Sequence, residues 1–404
     1  MTPFQRGSGD PPASPHDRVD AGPAELLPPL PEDRDAAKKA EGREFPCGQC
    51  GASLLFSPGA QKLSCPYCRH EQTVALEPGA AVAEQDLRAM LERLATRKGT
   101  DRAAEKSLAS GLFEVRCSGC GGTVQFSGTL TATNCAYCAA PIERSGVHDA
   151  AAADRIPVDG VLPFQIEEPA AKQNLRAWTK SRWFLPSVLA KDGIETAFRG
   201  VYLPFFTFDA LTANRFAGQR GTRHTMVVGS GKSRTVIVYY TWRSVEGAFQ
   251  RFFDDVLETA GSGLPEKQMA ELEPWPLKGL APFSPEFLSG FLARTYDVPL
   301  DHSFASAKAR IEAQIEADVR RRIGGDAQRI ESIDTAWPGL TFKHVLLPVW
   351  LATYAFKGKR YRVVVNAATG EVQGERPWSG WKIFFFVVAC AAVAGLVALI
   401  AAQR

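Results

Sequence analysis

The stretch FPCGQCGASLLFSPGAQKLSCPYC, from Phe45 to Cys68, decides how the first part of this chain folds. It holds two Cys-x-x-Cys pairs with 14 residues between them. A second stretch, VRCSGCGGTVQFSGTLTATNCAYC from Val115 to Cys138, repeats that spacing, and all four cysteines recur at an offset of 70 residues. The repeat indicates two copies of one small unit.

The cysteine spacing predicts metal binding. Two thiolates on one tight turn bind a metal ion from the same side, and a second turn completes the tetrahedral four-sulfur site that zinc favours. The residues between the pairs leave room for a short hairpin. The sequence therefore predicts two zinc ribbons and two Zn²⁺ ions per chain, with Cys47, Cys50, Cys65 and Cys68 as ligands in ribbon 1 and Cys117, Cys120, Cys135 and Cys138 in ribbon 2.

Other uses of these cysteines have less support. Disulfides require an oxidising compartment, and nothing in the sequence directs the ribbons to one. A redox Cys-x-x-Cys pair opens a helix in a thioredoxin-like unit, whereas these pairs are doubled and spaced for hairpins. Iron in the same sulfur cage is the alternative metal.

The composition is that of a folded protein of two or three domains. The chain has 404 residues, of which 45% are hydrophobic and 23% charged, which is ordinary for globular proteins. The net charge of +3 is small, whereas nucleic-acid binders usually carry a larger or more clustered basic excess. Residues 1–44 have no signal-peptide core and are rich in proline, glycine and charge, which predicts a disordered tail.

The run IFFFVVACAAVAGLVALIAA, from Ile383 to Ala402, contains no charged residue. At about 1.5 Å per residue it spans roughly 30 Å, the hydrocarbon thickness of a bilayer. Trp378 and Trp381 precede it, where interfacial indoles are favoured, and basic residues cluster on the same side. We predict a single-pass, C-terminal anchor (383–402) in the cell inner membrane with the preceding domains in the cytoplasm; a buried core helix is the alternative.

Between ribbon 2 and the anchor, residues 156–375 predict an α+β domain with an antiparallel sheet. Runs rich in aromatic and β-branched residues at 200–216, 222–245 and 344–375 predict strands, as does VLPFQI at 161–166. The words VYLPFFTF and VLLPVWLA look alike and suggest weak internal duplication.

Helical spacing of apolar residues predicts three helices. One runs from Glu84 to Lys98 and is expected to pack against a ribbon or to set the distance between the two ribbons. A second has Pro169 in its first turn. The third, from Ser303 to Ile323, has an apolar stripe formed by Ile311, Ile315, Val319 and Ile323.

The motifs that would indicate an enzyme are incomplete. Gly229 to Ser233 reads GSGKS, but a phosphate-binding loop needs glycine at position 226, where Met226 stands, and a helix must follow. The β-rich runs on both sides predict a hairpin turn instead. The six histidines form no catalytic zinc pattern, and no Gly-x-Ser-x-Gly elbow occurs. We therefore expect no enzymatic activity.

Zinc ribbons often bind nucleic acid, and such binding requires basic and aromatic side chains on the hairpins. Residues 51–64 contain one basic residue, Lys62, and residues 121–134 contain no charge. The ribbons are therefore expected to dock protein rather than nucleic acid.

The two ribbons, the words LPVW and GERPWS, and the apolar run 383–402 resemble a bacterial family of double zinc-ribbon membrane proteins, described as TFIIB-type or primosomal protein N′-like. The resemblance extends from about Phe45 to the C-terminus. Helicase motifs are absent, so helicase activity is not implied. Some relatives are similar to proteins that act beside phage-shock and SPFH-type membrane-stress proteins, which implies an adaptor role with a partner of that type.

The sequence thus predicts an α+β fold with two small zinc ribbons and one transmembrane helix. The expected units are a tail (1–44), ribbon 1 (45–78), a helical spacer (79–112), ribbon 2 (113–144), the α+β domain (156–375) and the anchor (376–404). The expected function is that of a membrane-tethered cytoplasmic adaptor or scaffold without enzymatic activity. The alternative is a membrane-held nucleic-acid-binding ribbon protein related to replication-restart helicase ribbons, and an unrecognised enzyme in residues 156–375 is third.

Overall fold

The computed structural model describes residues 45–74, 81–97, 156–187, 197–229, 234–261, 266–357 and 359–402, and the backbone of five short strands between 112 and 149. The expected tail at 1–44 lies outside these residues. Within them the helices are α1 (Leu87–Arg97), α2 (Glu168–Ser181), α3 (Glu266–Ala270), α4 (Leu300–Ile323) and α5 (Gly380–Ala402), with 3₁₀ turns at Leu277–Gly279 and Pro285–Leu288.

The strands follow in chain order. They are β1 (Leu55–Ser57), β2 (Lys62–Ser64), β3 (Glu71–Thr73), β4 (Gln85–Asp86), β5 (Leu112–Arg116), β6 (Thr123–Ser127), β7 (Ala132–Asn134), β8 (Pro141–Glu143), β9 (Val147–Asp149), β10 (Gly160–Val161), β11 (Ala197–Val228), β12 (Thr235–Thr259), β13 (Ala281–Pro282), β14 (Leu292–Ala293), β15 (Ala327–Phe356), β16 (Lys359–Asn366) and β17 (Val372–Gly374).

Three long strands form the centre of the main sheet. β11 lies between β12 and β15 and pairs antiparallel with both. β16 and β17 extend the sheet beyond β15 at one end, and β10 and β14 add short parallel pairings. The prediction of an α+β domain with an antiparallel sheet is therefore confirmed. The similar words VYLPFFTF and VLLPVWLA lie side by side in this sheet, with Val201 opposite Val349.

The core lies where helices cover this sheet. The predicted stripe on α4 is buried along its whole length and packs on Ala210, Phe216 and Phe253 of the two long strands β11 and β12. α2 begins with Pro169 in its first turn, as predicted, and buries Leu175 and Trp178. Burial of apolar side chains of this kind stabilises a fold by about 1.5–3 kcal/mol each, so the helices and the sheet are held together mainly by this core.

α1 packs on the main sheet, whereas the sequence predicts that it packs against a ribbon or sets the distance between the two ribbons. Gln85 and Asp86 add a short strand to β15 opposite Phe342 and Thr341. α1 then places Leu87, fully buried, in the cluster that contains Phe206 and Phe208. The segment predicted as a spacer (79–112) thus contributes to the core of the main domain, because its helix has an apolar face that the sheet covers.

The predicted strand at 161–166 is much shorter in the structure, where β10 covers only Gly160–Val161. The chain leaves the sheet because the N–H groups of Gln165 and Ile166 donate to the carbonyl of Ala367 in a neighbouring turn. Phe164 meanwhile enters an aromatic cluster with Tyr202 and Phe291. Packing and turn hydrogen bonds override the local β-propensity here.

The three long strands do not end together. The pairing of β11 with β15 stops at Gly221 and Ala327, and β11 and β12 continue as a two-stranded hairpin. We call this hairpin the arm tip (Thr222–Val228 with Thr235–Thr241). Val228 pairs with Thr235 across the turn, which confirms a hairpin where GSGKS resembled a phosphate-binding loop. The side chains of the arm tip include these exposed apolar ones: Met226, Val227, Val228, Val236, Ile237, Val238, Tyr239 and Tyr240.

The backbone of the second cysteine unit repeats part of the first. β2 and β3 pair with Lys62 opposite Thr73. β7 and β8 pair with Ala132 opposite Glu143, which is the same register at the 70-residue offset of the cysteines. The repeat seen in the sequence therefore extends to strand pairing.

Candidate metal centre

Two tight turns present the cysteines of ribbon 1. In the first, the N–H of Gly51 donates to the carbonyl of Cys47 over 2.9 Å, and Gly51 has φ +74°. In the second, the N–H of Arg69 donates to the carbonyl of Cys65 over 3.0 Å, and Arg69 has φ +59°. A positive φ costs little at glycine and more at arginine. The two turns therefore have one geometry, and it points both sulfurs of each pair the same way.

The four sulfurs of ribbon 1 converge. Cys47 Sγ lies 3.6 Å from Cys68 Sγ, and Cys50 Sγ lies 3.5 Å from Cys65 Sγ. All four lie within 4.8 Å of one another. Zinc–sulfur bonds of about 2.3 Å in a tetrahedron separate the sulfurs by about 3.8 Å, whereas a disulfide separates them by about 2.05 Å. These distances fit one metal ion bound by four cysteine sulfurs, and they are too long for two disulfides.

The turns also stabilise negative charge on the sulfurs. Backbone N–H groups of Cys50 and Gln49 point at Cys47 and lower the pKa of its thiol. The backbone N–H of Cys68 is the largest of the effects that lower the pKa of Cys65 to about 6. The His70 N–H acts in the same direction on Cys68, but burial and the neighbouring sulfurs raise the pKa of that thiol to about 12. A bound cation supplies the charge needed for all four to be thiolates, and its binding releases protons.

Ribbon 1 is attached to the main domain. The N–H of Phe56 donates to the carbonyl of Ser289 over 3.0 Å, and the hydroxyl of Ser289 donates to the carbonyl of Leu54 over 2.5 Å. Phe56 is 4% exposed and packs on Phe287 and Phe291. The ribbon shares a hydrophobic cluster with the domain. Ribbon 1, which contains the first metal centre, therefore packs on the loop of Phe287 and Ser289 and is not a separate module.

The predicted ligands of ribbon 2, Cys117, Cys120, Cys135 and Cys138, lie outside the described residues. Among the described residues, the four-cysteine cluster is that of ribbon 1. Cys390 lies in α5 and is exposed.

A charged cluster inside the main domain was not anticipated from the sequence. Lys343 Nζ lies 3.2 Å from Asp209, 2.9 Å from Asp255 and 3.3 Å from Glu84. Despite its burial, Asp255 and Asp209 raise the pKa of Lys343. Burial, with a smaller effect from the hydrogen bond to Glu84, raises the pKa of Asp209 to about 6, although the N–H of Asp255 and the ammonium of Lys343 act in the opposite direction. Asp209, Asp254 and Asp255 also lie close enough to share a metal ion, but Lys343 already supplies the counter-charge there.

α5 is long and apolar enough to cross a bilayer by length and composition, over Gly380–Ala401. None of the window that meets this test is buried against the rest of the described chain. Trp378 and Trp381 stand at its N-terminal end and are 60% and 70% exposed. A core helix would be covered by other elements, whereas α5 is uncovered and could cross a membrane.

Comparison with known proteins gives one relative and no family. The chain is 25% identical over 227 residues to the uncharacterized protein YdjG of Bacillus subtilis (strain 168). The alignment covers 55% of this chain and 64% of that protein, so the chain spans less than two thirds of the relative's length. No protein-family model matches the chain. No solved structure matches it either.

Proposed function

We propose that this protein is a membrane-tethered cytoplasmic adaptor that carries structural Zn²⁺ in its cysteine ribbons and binds another protein at its arm tip. The observation that carries the proposal is the placement of two exposed apolar surfaces, α5 and the arm tip, at opposite ends of one sheet. Large exposed apolar surfaces mark contacts with membranes or with proteins.

The chain reaches α5 from β17, at the end of the sheet where β11 begins. Ala197 pairs with Thr353, and Thr353 pairs with Arg362 of β16. Glu375, five residues before α5, donates its N–H to the carbonyl of Arg362 over 2.9 Å. β11 and α5 therefore begin at the same end of the sheet, with β15 and β16 between them. A bilayer around α5 lies at this end of the sheet.

The arm tip lies at the other end of β11. β11 has 32 residues, which at about 3.3 Å per residue reach up to ~100 Å. A two-stranded hairpin alone is marginally stable in water, and this one exposes Val236 by 59% and Ile237 by 44%. Among the described residues, no further strand pairs with the outer edges of this hairpin beyond Arg223, and such edges can accept another strand. Another protein could add a strand to the open edge of the hairpin and cover its exposed apolar side chains.

The ribbons and the orientation complete the proposal. Zinc in ribbon 1 shapes the small unit that docks on Ser289, and ribbon 2 holds a second Zn²⁺ through its four cysteines. Reduced thiols and the basic residues that precede α5 both favour the cytoplasm for the domains. We propose a phage-shock or SPFH-type protein as the partner, which is the class that the family resemblance implies. The fold supplies no catalytic constellation among the described residues, and the proposed role is binding.

The test is affinity purification of the full chain from gently solubilised membranes, with the bound proteins identified by mass spectrometry. Val236→Lys places a charge in the apolar patch of the arm tip and should reduce the bound partner at least several-fold. Ser244→Lys adds the same charge to a polar, exposed position of the same strand and serves as the control. Equal recovery of the partner with both variants would show that the arm tip does not bind it.

A second function, nucleic-acid binding, is favoured by one observation on the arm. Arg223, Arg243 and Arg329 are exposed there, and the guanidinium of Arg329 lies 3.9 Å from the ring centre of Trp242. Basic and aromatic side chains together suit single-stranded nucleic acid. Arg223→Ala should then weaken binding of a single-stranded oligonucleotide and lower the salt slope by about one. Absence of salt-sensitive binding to the purified chain would exclude this function.

A further inference from the structure

The segment Arg182–Leu185, which follows α2, is attached to the base of α5. The N–H of Ser379 donates to the carbonyl of Phe184 over 2.8 Å. Lys382 Nζ donates to the carbonyls of Trp183 and Leu185 over 3.0 and 2.8 Å. We call Arg182–Leu185 the interfacial loop. Three hydrogen bonds from the start of α5 thus fix the loop to the helix.

Aromatic packing extends this attachment along α5. Phe184 packs edge-on against Phe386, with ring centres 5.5 Å apart, and lies 6.1 Å from Trp378. Phe386 is six residues into α5, or about 9 Å along its axis. The ring of Phe184 therefore lies beside the apolar part of the helix and not merely beside its first turn.

The loop exposes the residue type that bilayer interfaces favour. Trp183 is 73% exposed, more than Trp381 at 70% and Trp378 at 60%. An indole exposed to this extent has no structural role inside the domain. Tryptophan accumulates at membrane–water interfaces because its ring is apolar and its N–H is polar. Three exposed tryptophans thus belong to segments at or beside the start of α5, and one of them comes from a distant part of the chain.

We infer that the interfacial loop is a second membrane-contacting element, with Trp183 inserted at the boundary between lipid headgroups and acyl chains. This inference rests on the proposed bilayer span by α5. Lys382 Nζ binds the carbonyl of Trp183, so the exposed Trp183 lies beside the start of α5 and enters the interfacial lipid layer when α5 spans the membrane. Lys382 and Arg376 stand at this level too, and their charges suit lipid phosphates.

The inference has a structural consequence for the tether. A domain on a flexible linker tumbles relative to the bilayer, whereas a domain held by α5 and by a lipid-embedded loop does not. The loop comes directly from the end of α2, and α2 packs on β11, β16 and β17. The bilayer surface is thus tied to the main sheet at two points, through α5 and through Trp183.

The test is tryptophan fluorescence of the full chain in phospholipid nanodiscs, with and without lipids brominated on their acyl chains. Bromine quenches indoles within or next to the acyl-chain region. Trp183→Phe should remove roughly one third of the emission that bromine quenches, because that emission comes from three interfacial tryptophans, Trp183, Trp378 and Trp381. Trp381→Phe is the positive control, and Trp242→Phe, on the arm, should leave the quenched emission unchanged.

The outcomes distinguish failure of the lipid contact by the interfacial loop from failure of the bilayer span by α5. If Trp381→Phe lowers the quenched emission and Trp183→Phe does not, the loop does not touch lipid and the inference is wrong while the anchor stands. If bromine quenches nothing in the unmodified chain, the bilayer span itself fails, and the inference fails with it. Trp183 is exposed, so its replacement by phenylalanine leaves the fold intact.

Discussion

The ring of Phe56 meets the ring of Phe287 edge-on, with their centres 5.3 Å apart. The two residues come from ribbon 1 and from the loop before β14, which are far apart in the sequence. The contact shows how a small cysteine unit with little core of its own gains apolar cover from a larger domain. A ribbon of about 30 residues is below the size that folds alone without a metal or another support.

Phe56→Ala should detach ribbon 1 from the domain. The substitution removes a ring that is 96% buried, since Phe56 is 4% exposed, and loss of such a ring costs about 3–5 kcal/mol. Hydrogen exchange should accelerate in residues 45–74 and around Ser289. Tyr67→Ala, at a site that is 70% exposed in the same ribbon, is the control. Unchanged exchange at Ser289 would mean that the ring does not hold the interface.

Cys50→Ser should remove one zinc equivalent from the purified chain. The sulfur of Cys50 lies 3.5 Å from that of Cys65, and serine does not replace a thiolate ligand for zinc. Metal analysis of protein prepared under reducing conditions gives the number of zinc ions per chain, and we expect two in the unmodified protein. Cys390→Ser, in α5, should leave the ratio unaltered. If the bound metal is iron, the four-sulfur geometry still stands and only the predicted identity of the metal is wrong.

Asp209→Asn should make the chain more stable at neutral pH and equally stable near pH 4. Burial raises the pKa of Asp209 to about 6, above its unfolded value of about 3.9. Its folded state therefore binds a proton more readily, so its contribution to stability is complete below about pH 4 and is lost as pH rises through 6. Asparagine keeps the acceptor for the N–H of Asp255 without the charge.

Urea unfolding in detergent at pH 4 and at pH 7 measures this difference. We expect Asp209→Asn to gain on the order of 2 kcal/mol at pH 7 relative to pH 4. Asp301→Asn, at an exposed position, should show no such gap. A loss of stability at pH 7 would mean that the ion pair with Lys343 outweighs the cost of burying the carboxylate.

Removal of residues 378–404 should yield a soluble chain that keeps its zinc and no longer brings its partner to the membrane. α5 has none of its candidate span buried against the described domain, so its loss opens no cavity. Cell fractionation of the chain and of the partner, with and without the deletion, gives the result. A truncated chain that stays in the membrane fraction would contradict the tether.

We expect no nucleotide hydrolysis from the unmodified protein, so Lys232→Ala should not change it. The residues on either side belong to paired strands, Val228 opposite Thr235, and a phosphate-binding loop needs a helix after it. A sensitive phosphate-release assay on both proteins is sufficient. Hydrolysis lost in the variant would reopen the question of an enzyme.

Local pattern was enough for the elements whose partners are nearby in sequence. The stripe of Ile311, Ile315 and Val319 predicted α4, and the turn at Asn366 to Gly370 separates β16 from β17 as its residues suggest. The cysteine spacing likewise predicted the convergence of Cys47, Cys50, Cys65 and Cys68, because two short turns and one hairpin suffice to form it.

Long-range pairing was beyond such reasoning. Nothing local shows that Asp86 pairs with Thr341, or that Leu87 lies against Phe206, so α1 was assigned to the ribbons. The cluster around Lys343 was missed for the same reason, since its carboxylates come from three segments. Phe56 contacts Phe287, on a loop more than 200 residues away, and no local pattern indicates this contact.

The pairing of Ala197 with Thr353 sets the order in which the chain acquires its structure during synthesis. The β11–β12 hairpin can close early, because its strands are adjacent in sequence. The other edge of β11 waits until β15 has left the ribosome, which at about 5–20 residues per second lasts on the order of 10–30 s. During that interval a buried strand of the mature sheet, with its aromatic side chains, is open to solvent. Until β15 is made, this edge can therefore pair with the same edge of another nascent chain.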